Sequence, residues 1–366
     1  MRIAYLCKRR YMSKDVILDR YARLYEIPFQ LARLGHPVRA WCLQYGAGGA
    51  GRWTHDAGAA SVEWISRGLV PGLAAYPLGV LREVAAFSPD LVIAASDIPH
   101  VALGAWIAAR LRKPWVADLY DNFEGFGQAR IPGFVALLRR AVRRADVVLT
   151  TSEPLRERVL EAYGARGEVI AMPSSVDKAV FRPRERAAAR RALGLPAGAP
   201  LVGTAGGLNR DKGVGDLYEA WRTLAAADPG VHLVLAGPTE AGFPPPAGPR
   251  VHALGPLPHE RVAELFSALD VGAICVRDTP FGRYCFPQKA YEMLACRLPV
   301  VAADVGAMGR FFAGRPASLY RPGDGADLAA KLRAQLAARA APEVPIAGWD
   351  ELIGALEPRL RRLAGA

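Results

Sequence analysis

A lysine and a glutamate three residues apart are the side chains of this chain that most directly suggest chemistry. Lys289 and Glu292 lie in the segment FPQKAYEMLA, residues 286–295. Pro287 suits the first turn of a helix, where its missing N–H would have no partner anyway. A helix start beside an ammonium group favours a phosphate, and a carboxylate, which only accepts hydrogen bonds, suits paired sugar hydroxyls. The segment therefore predicts a nucleotide-sugar site, and a solvated Lys–Glu pair is the structural alternative.

A second lysine follows a pair of glycines. Gly206 and Gly207 begin a short polar loop that ends in Lys212 and Gly213, after a predicted strand. Glycines let the backbone approach a ligand closely. Lys212, at the start of the next helix, would oppose the helix dipole unless an anion is bound. The loop therefore predicts a diphosphate site, and a solvated loop lysine is the alternative.

The elements that position these motifs follow from alternating apolar runs and helical stretches, which indicate α/β domains with parallel sheets covered on both faces. Strands are predicted at residues 3–7, 38–43, 91–95, 115–119, 147–150 and 169–172, and again at 201–204, 231–236, 251–254, 271–276 and 299–303. The longer predicted helices are 15–34, 101–111, 216–226, 260–268 and 287–297.

Two successive sets of strands predict two doubly wound, Rossmann-like domains that face a central cleft. The first domain is predicted over residues 1–178 and the second over 179–345. An amphipathic helix within residues 346–366 either closes the second domain or crosses back to the first. Ligands of such sheets bind outside the carboxyl ends of the strands, so both lysine motifs are expected to face one crevice.

Composition restricts the class of protein. The 366 residues carry a net charge of +12 and five scattered cysteines. We expect free thiols and no metal site. No apolar run reaches the ~18 residues of a membrane span, and a signal peptide is not expected, which favours a cytoplasmic protein. The charge suits nucleoside diphosphates or an anionic membrane. Nucleic acid is not expected, because no basic platform with interleaved aromatic residues is present.

Two further segments carry patterns of their own. Residues 46–51, GAGGAG, satisfy the dinucleotide pattern but are followed by no helical periodicity, so no dinucleotide site is expected there. Residues 130–144 form a basic amphipathic stretch with two arginine pairs, at 139–140 and 143–144. This stretch either lies on an anionic membrane or covers the sheet with solvated arginines.

The second half of the chain resembles the donor-binding domain of family 4 glycosyltransferases, which have the GT-B fold. The family pattern G-x-L-x-x-x-K-G corresponds to GGLNRDKG at residues 206–213. The pattern E-x-[ML]-A-x-x-x-P-V-[VI]-A resembles EMLACRLPVVA at residues 292–302, and the hinge pattern V-D-x-x-x-F-x-P corresponds to VDKAVFRP at residues 176–183. The resemblance runs from about residue 172 to the C-terminus.

The resemblance implies transfer of a sugar from a nucleoside diphosphate sugar with retention of configuration. It implies no metal and no cofactor beyond the donor, which is a co-substrate. Lys212 and backbone N–H groups would stabilise the leaving diphosphate, and Glu292 would hold the ribose. A glycan, lipid-linked or small-molecule acceptor would bind the first domain. The reaction would belong to the synthesis of a cell-surface polysaccharide or glycolipid.

The loop DLYDNFE, residues 118–124, often reads D-x-H-D in relatives and faces the donor sugar. Tyr120 stands in place of the histidine, and Asp121 is predicted to contact the sugar or to accept the acceptor's proton. The alternative is that the two aspartates of this loop cap a turn. Ser96 and Asp97 are weaker candidates for acceptor contact, and His100 beside them is interpreted as structural.

The chain departs from the family pattern in three places. Gly207 stands where the family commonly has an arginine, so Arg210 or Lys289 is expected to supply the missing cation. Tyr284 stands eight residues before Glu292, where the paired-glutamate motif of the family has an acid. A subset of relatives has the pattern P-x-K-x-x-E instead, as this chain does. Tyr284 is expected near the sugar.

The third departure is the first loop, KRRYMS at residues 8–13, which lacks the usual glycines. Arg9 and Arg10 of this loop are predicted to contact the sugar or the acceptor. A nucleotide-sugar epimerase of the same fold and a non-catalytic partner subunit remain alternatives to a transferase.

Overall fold

The structure is a computed structural model that describes residues 1–11, 14–46, 49–68, 75–338 and 341–365. The chain divides into two compact units. Unit 1 comprises Met1–Ser174 and Trp349–Ala366, and unit 2 comprises Ser175–Gly348. The predicted first boundary, at residue 178, lies slightly beyond the observed one, and the last segment of the chain belongs to unit 1.

Unit 1 is built on an eight-stranded sheet in the order β10-β9-β8-β7-β1-β4-β6-β5, with helices between its parallel strands. The strands of this sheet are β1 (Ile3–Lys8), β4 (Val38–Gln44), β5 (Gly51–Asp56), β6 (Ser61–Gly68), β7 (Leu91–Ala95), β8 (Trp115–Leu119), β9 (Val147–Thr150) and β10 (Glu168–Ala171). Two short strands, β2 (Arg10–Tyr11) and β3 (Lys14–Asp15), form a separate antiparallel pair. The first helices of unit 1 are α1 (Ala22–Arg33), α2 (Tyr76–Phe87), α3 (Ile98–Leu111), α4 (Phe134–Val142) and α5 (Glu153–Arg158). Strands β7, β8 and β9 are buried along their whole length, as a sheet covered on both faces requires.

Two stretches of unit 1 differ from the sequence-based prediction. The helix predicted from residue 15 begins only at Ala22, because the Asp15 carboxylate accepts the N–H groups of Ile17 and Leu18, at 3.0 and 3.1 Å, and fixes a turn. The strands β5 and β6 and the helix α2 were not predicted. The glycine-rich segment leads into the strand β5, and its residues 47 and 48 lie outside the described residues.

A fully buried ion pair joins α1 to the centre of the unit 1 sheet. Arg23 donates to both carboxylate oxygens of Asp118, at 2.6 to 3.0 Å, and both side chains are 0% exposed. Arg23 Nη1 also donates to the carbonyl of Met172 at 2.5 Å. Asp118 is thus an ion-pair partner inside the sheet rather than a turn cap.

Unit 2 is built on a six-stranded parallel sheet in the order β13-β12-β11-β14-β15-β16. Its helices and strands, in chain order, are α6 (Arg186–Leu193), β11 (Leu201–Ala205), α7 (Val214–Ala227), β12 (His232–Ala236), β13 (Val251–Ala253), α8 (His259–Ala268), β14 (Val271–Ile274), α9 (Pro280–Tyr284), α10 (Lys289–Ala295), β15 (Val300–Ala303), α11 (Gly306–Phe311), β16 (Leu319–Tyr320) and α12 (Gly325–Ala338). The two large sheets, which are parallel except for β5 at one edge, confirm the predicted α/β class.

The start of α10 corrects one prediction. Pro287 was expected inside the first turn, but the helix begins at Lys289 with Gln288 as its N-cap. The carbonyl of Pro287 accepts the N–H of Ala290 at 2.9 Å, so the proline precedes the first turn instead of forming it. Lys289 is therefore the first residue of the helix.

The last helix, α13 (Trp349–Ala364), packs within unit 1. Its buried residues are Trp349, Ile353, Leu356 and Leu360. Glu357 pairs with His36 at 2.8 Å, and Arg359 pairs with Glu168 at 3.0 Å. Of the two predicted positions for this helix, the structure shows the one on the first unit. In the described part of the chain, no helix has both the length and the apolar composition that a bilayer span requires.

Candidate active site

The loop after β11 lies against the loop after β12, and only glycine fits at their closest approach. The N–H of Gly206 donates to the carbonyl of Ala236 at 2.9 Å. Gly237 has φ +137°, and a Cβ there would collide with the carbonyl oxygen of Gly206. Gly206 itself has φ +111°, a conformation that other residues rarely adopt. These two glycines set the course of the backbone at the carboxyl ends of the strands.

The two predicted lysines meet above this loop. Lys289 Nζ lies 3.3 Å from where a Cβ on Gly206 would be, and Lys212 Nζ lies 3.3 Å from where one on Gly207 would be. Lys289 Nζ also lies 3.5 Å from Thr204 Oγ1. Within the residues that the structure describes, neither ammonium is within 4.0 Å of a carboxylate. The structure thus brings two unpaired positive charges over consecutive glycines.

The electrostatics of this cluster favour the binding of an anion. Burial, and next the charge of Lys212, lower the pKa of Lys289 to about 8. Burial raises the pKa of Glu292 to about 7, although the Lys289 ammonium and a hydrogen bond from Gln288 Nε2, at 3.2 Å, act the other way. A bound diphosphate would relieve the repulsion between the two ammonium groups. Paired sugar hydroxyls would donate hydrogen bonds to the Glu292 carboxylate.

The other predicted donor ligands lie differently. Arg210 is exposed, and its guanidinium donates to the carbonyl of Gly242 at 2.9 Å and lies 5.1 Å from the centre of the Phe243 ring. Of the two residues expected to supply the missing cation, Lys289 lies beside the paired glycines, whereas the Arg210 guanidinium lies at Gly242 and Phe243. Tyr284 is half-buried at the end of α9.

Unit 1 places a second polar cluster at the carboxyl end of its own sheet. Lys8, the last residue of β1, donates from Nζ to the hydroxyl of Tyr120 at 2.8 Å. Asp121 Oδ1 accepts the N–H of Asn122 at 2.7 Å. Burial raises the pKa of Asp121 to about 6, against the opposing charge of Lys8. Tyr120 and Asp121 are thus brought together with a lysine that sequence reasoning did not single out.

Asp97 has both carboxylate oxygens occupied. Oδ1 accepts the N–H of His100 at 3.0 Å and lies 2.6 Å from its Nδ1, and Oδ2 accepts the hydroxyl of Tyr45 at 2.8 Å. Burial would raise the pKa of Asp97, but His100 and Tyr45 hold it below its usual value. Asp97 therefore positions Tyr45, which remains 39% exposed and was not predicted.

Ser96 precedes Asp97 in a left-handed conformation, with φ +90°. Such strain in a residue other than glycine is common at functional sites. Ser96 Oγ accepts the N–H of Lys8 at 2.8 Å, which links β7 to the end of β1.

The arginines of the first loop differ in exposure. Arg9 is buried; it pairs with Asp15 at 2.9 Å, donates to Ser66 Oγ at 3.3 Å and to the carbonyl of Gly49, and stacks on Trp53. Its donors are thus used inside unit 1, whereas Arg10 is exposed.

In the basic stretch, Arg139 pairs with Glu124 at 2.7 Å, and Arg143 Nε donates to the carbonyl of Tyr163 at 3.3 Å. Exposed side chains of this stretch include Ile131, Leu137, Arg140 and Arg144.

Comparison with known proteins gives the family. The profile of the Glycosyl transferase 4-like domain matches residues 23–174, and that of Glycosyl transferases group 1 matches residues 199–338. A D-inositol 3-phosphate glycosyltransferase of Stackebrandtia nassauensis is 29% identical over 355 residues, which cover 85% of this chain and 78% of that protein. One of Nocardiopsis dassonvillei is 30% identical over 267 residues, covering 66% and 60%.

Solved structures show the fold. Sucrose-phosphate synthase of Thermosynechococcus elongatus superimposes with a TM-score of 0.72 at 19% identity, over 100% of this chain and 99% of its own. Anabaena HepE in complex with UDP gives 0.69 at 18% identity, over 100% and 98%. These likenesses confirm the GT-B fold. With two glycosyltransferase profiles covering most of its length, the chain belongs to the family 4 glycosyltransferases.

Proposed function

We propose that this glycosyltransferase moves a sugar from a nucleoside diphosphate sugar to a hydroxyl acceptor, with retention of configuration and without a metal. The observation that carries the proposal is the pair of ammonium groups, Lys212 and Lys289, over Gly206 and Gly207, with no carboxylate of the described residues within 4.0 Å of them. The HepE structures in complex with UDP and with UDP-glucose support a donor of this class.

In the donor half of the reaction, negative charge grows on the departing diphosphate. Lys212, Lys289 and the backbone N–H groups of the paired glycines stabilise that charge in a site whose dipoles are already oriented. Two fixed ammoniums perform the neutralisation that a divalent cation performs in other transferases. Glu292 accepts the ribose hydroxyls.

In the acceptor half, unit 1 holds the hydroxyl that attacks the sugar. Asp121, whose pKa of about 6 leaves it mostly ionised at neutral pH, accepts a hydrogen bond or the proton from that hydroxyl. Tyr120 and Lys8 bind neighbouring oxygens. The acceptor is a polyhydroxylated small molecule, which the names of the inositol-phosphate and sucrose-phosphate relatives support; glycan and lipid-linked acceptors are the alternatives.

We place the reaction in the cytoplasm. Arg140, Arg144, Ile131 and Leu137 are exposed basic and apolar side chains, which suit the anionic inner face of a membrane. Tyr284 and Gly207, which replace an acid and a cation of the family pattern, favour the non-catalytic subunit as the second candidate.

The proposal is tested by thermal denaturation in EDTA with UDP, GDP, ADP, TDP and CMP in turn. We expect one diphosphate to raise the melting temperature by about 5 °C or more at one hundred times its Kd. A matching sugar nucleotide would then be offered with candidate acceptors, and the anomeric configuration of the product read by NMR. No stabilisation by any diphosphate would contradict the proposal, and stabilisation without transfer would favour the non-catalytic subunit.

A further inference from the structure

The strand β5 leaves one edge of the unit 1 sheet open. It pairs antiparallel with β6, and in the described part of the chain no strand pairs with its other side. In an antiparallel pair, alternate residues turn their N–H and C=O groups away from the partner, so half of these groups in β5 face outward. An exposed edge of this kind is a template for another strand.

The side chains of β5 are self-complementary. Arg52, Thr54 and Asp56 are exposed on one face, while Trp53 and His55 are half-buried on the other. A second copy of β5, related by a two-fold axis through Thr54, would lie antiparallel with Arg52 opposite Asp56 of the other copy. Opposite charges directly across two strands stabilise their pairing. A shift of the centre by one residue, to Trp53, would place Arg52 opposite Thr54 and lose both ion pairs.

Both charges remain available for such a contact. Arg52 meets Glu63 of its own chain at 3.3 Å, but the arginine side chain is 66% exposed, and exposed pairs of this kind contribute little. Among the described residues, Asp56 uses only Oδ1, to accept the N–H of Gly58 at 2.8 Å.

The other sheet edges are less suited to pairing. At the opposite edge of the same sheet, β10 carries Glu168, which pairs with Arg359 of α13. In unit 2 the edge strand β13 has three residues. Strand β5 has six residues and contains no lysine or proline to block an edge.

We propose that β5 is a self-association edge, at which two copies of this chain join their sheets about a two-fold axis centred on Thr54. The contact is isologous, because the same six residues serve both copies. A single strand pair buries little area, so the dimer is expected to be weak and to form as the protein concentration rises.

The register is tested by disulfide trapping with Thr54→Cys and its matched control Arg52→Cys. Both positions are exposed on the same face, and all five native cysteines are buried. Two cysteines at position 54 would have Cα atoms about 4.5–5.5 Å apart, within disulfide range. Two at position 52 would be offset by about 14 Å along the strands. We expect Thr54→Cys to form a covalent dimer at least about tenfold faster under mild oxidation.

Charge reversal tests the ion pairs independently, by sedimentation velocity over a range of concentrations. Arg52→Asp and Asp56→Arg each place like charges opposite one another and should abolish the dimer. The double variant restores opposite charges and should restore the dimer. Asp56→Arg alone is its control, because both variants lose the hydrogen bond from the Gly58 N–H to Asp56. Thr54→Cys that stays monomeric or links no faster than Arg52→Cys would overturn the proposal, as would a double variant that remains monomeric.

Discussion

Replacing Lys212 by alanine is expected to lower kcat/KM for sugar transfer by about 10²–10³-fold, because removing one donor from a preorganised charge site has effects of that size. The Lys212 ammonium lies over Gly207 without a carboxylate partner among the described residues. Its removal also relieves the repulsion that lowers the pKa of Lys289. The fold should therefore be unharmed, and the melting temperature of the free protein should be unchanged or slightly higher.

Arg333→Ala is the matched control. It also removes one positive charge from unit 2, at an exposed position on α12. Activity is measured with the donor identified by thermal denaturation, at donor concentrations that separate kcat from KM. Equal activity of the Lys212→Ala and Arg333→Ala variants would exclude Lys212 from the diphosphate site.

The largest effect on stability is expected at the buried ion pair of unit 1. Asp118→Asn leaves the Arg23 guanidinium buried without its counter-charge, which typically destabilises a protein by about 3–5 kcal/mol. Replacing both partners, as Arg23→Met with Asp118→Leu, should recover much of that loss, since no charge then remains buried.

Urea unfolding followed by tryptophan fluorescence measures this effect. Of the seven tryptophans only Trp221 lies in unit 2, so the signal reports mainly unit 1. Glu168→Gln is the control, because it breaks an exposed Arg–Glu pair of the same unit and should change the free energy of unfolding by less than about 1 kcal/mol. A similar loss in both variants would contradict the role assigned to the buried pair.

The meeting of Lys212 and Lys289 was predictable, because each motif lies on the carboxyl side of a strand of the same sheet. Gly206 follows β11, and Lys289 begins α10, the second helix after β14, which is the neighbour of β11 in the sheet. The spacing of glycine, lysine and glutamate therefore predicted that these side chains lie close together, and their role in donor binding stays a prediction. The predicted start of this helix at Pro287 was wrong by two residues, because local propensity does not decide where a short helix begins.

The unit 1 cluster was only partly predictable. Lys8, Tyr45, Asp97 and Tyr120 follow or end four strands that are neighbours only in the folded sheet, in the order β8-β7-β1-β4. Nothing in the separate segments indicates that order. Strand β5 was missed because its alternation of half-buried and exposed residues follows a glycine-rich segment that interrupts the apolar pattern. Strand β6 was missed because the polar residues Glu63 and Ser66 interrupt its apolar residues.

The central claim is that two ammoniums and one carboxyl hold the donor, and the pH dependence of donor binding tests it most directly. A nucleotide sugar is the suitable ligand, because its two phosphates carry no proton that titrates near neutral pH. Binding favours protonated Lys289. The contribution of Lys289 to the affinity should therefore be fully present below pH 8 and be lost above it, by up to about tenfold per pH unit. Binding also favours ionised Glu292, so affinity should fall below pH 7.

Isothermal titration calorimetry from pH 6 to 9 should therefore show an affinity maximum between the two pKa values, about 7 and about 8. Lys289→Met should remove the decline at high pH, and Glu292→Gln the decline at low pH. An affinity that is constant across this range, or declines that persist in both variants, would contradict the account.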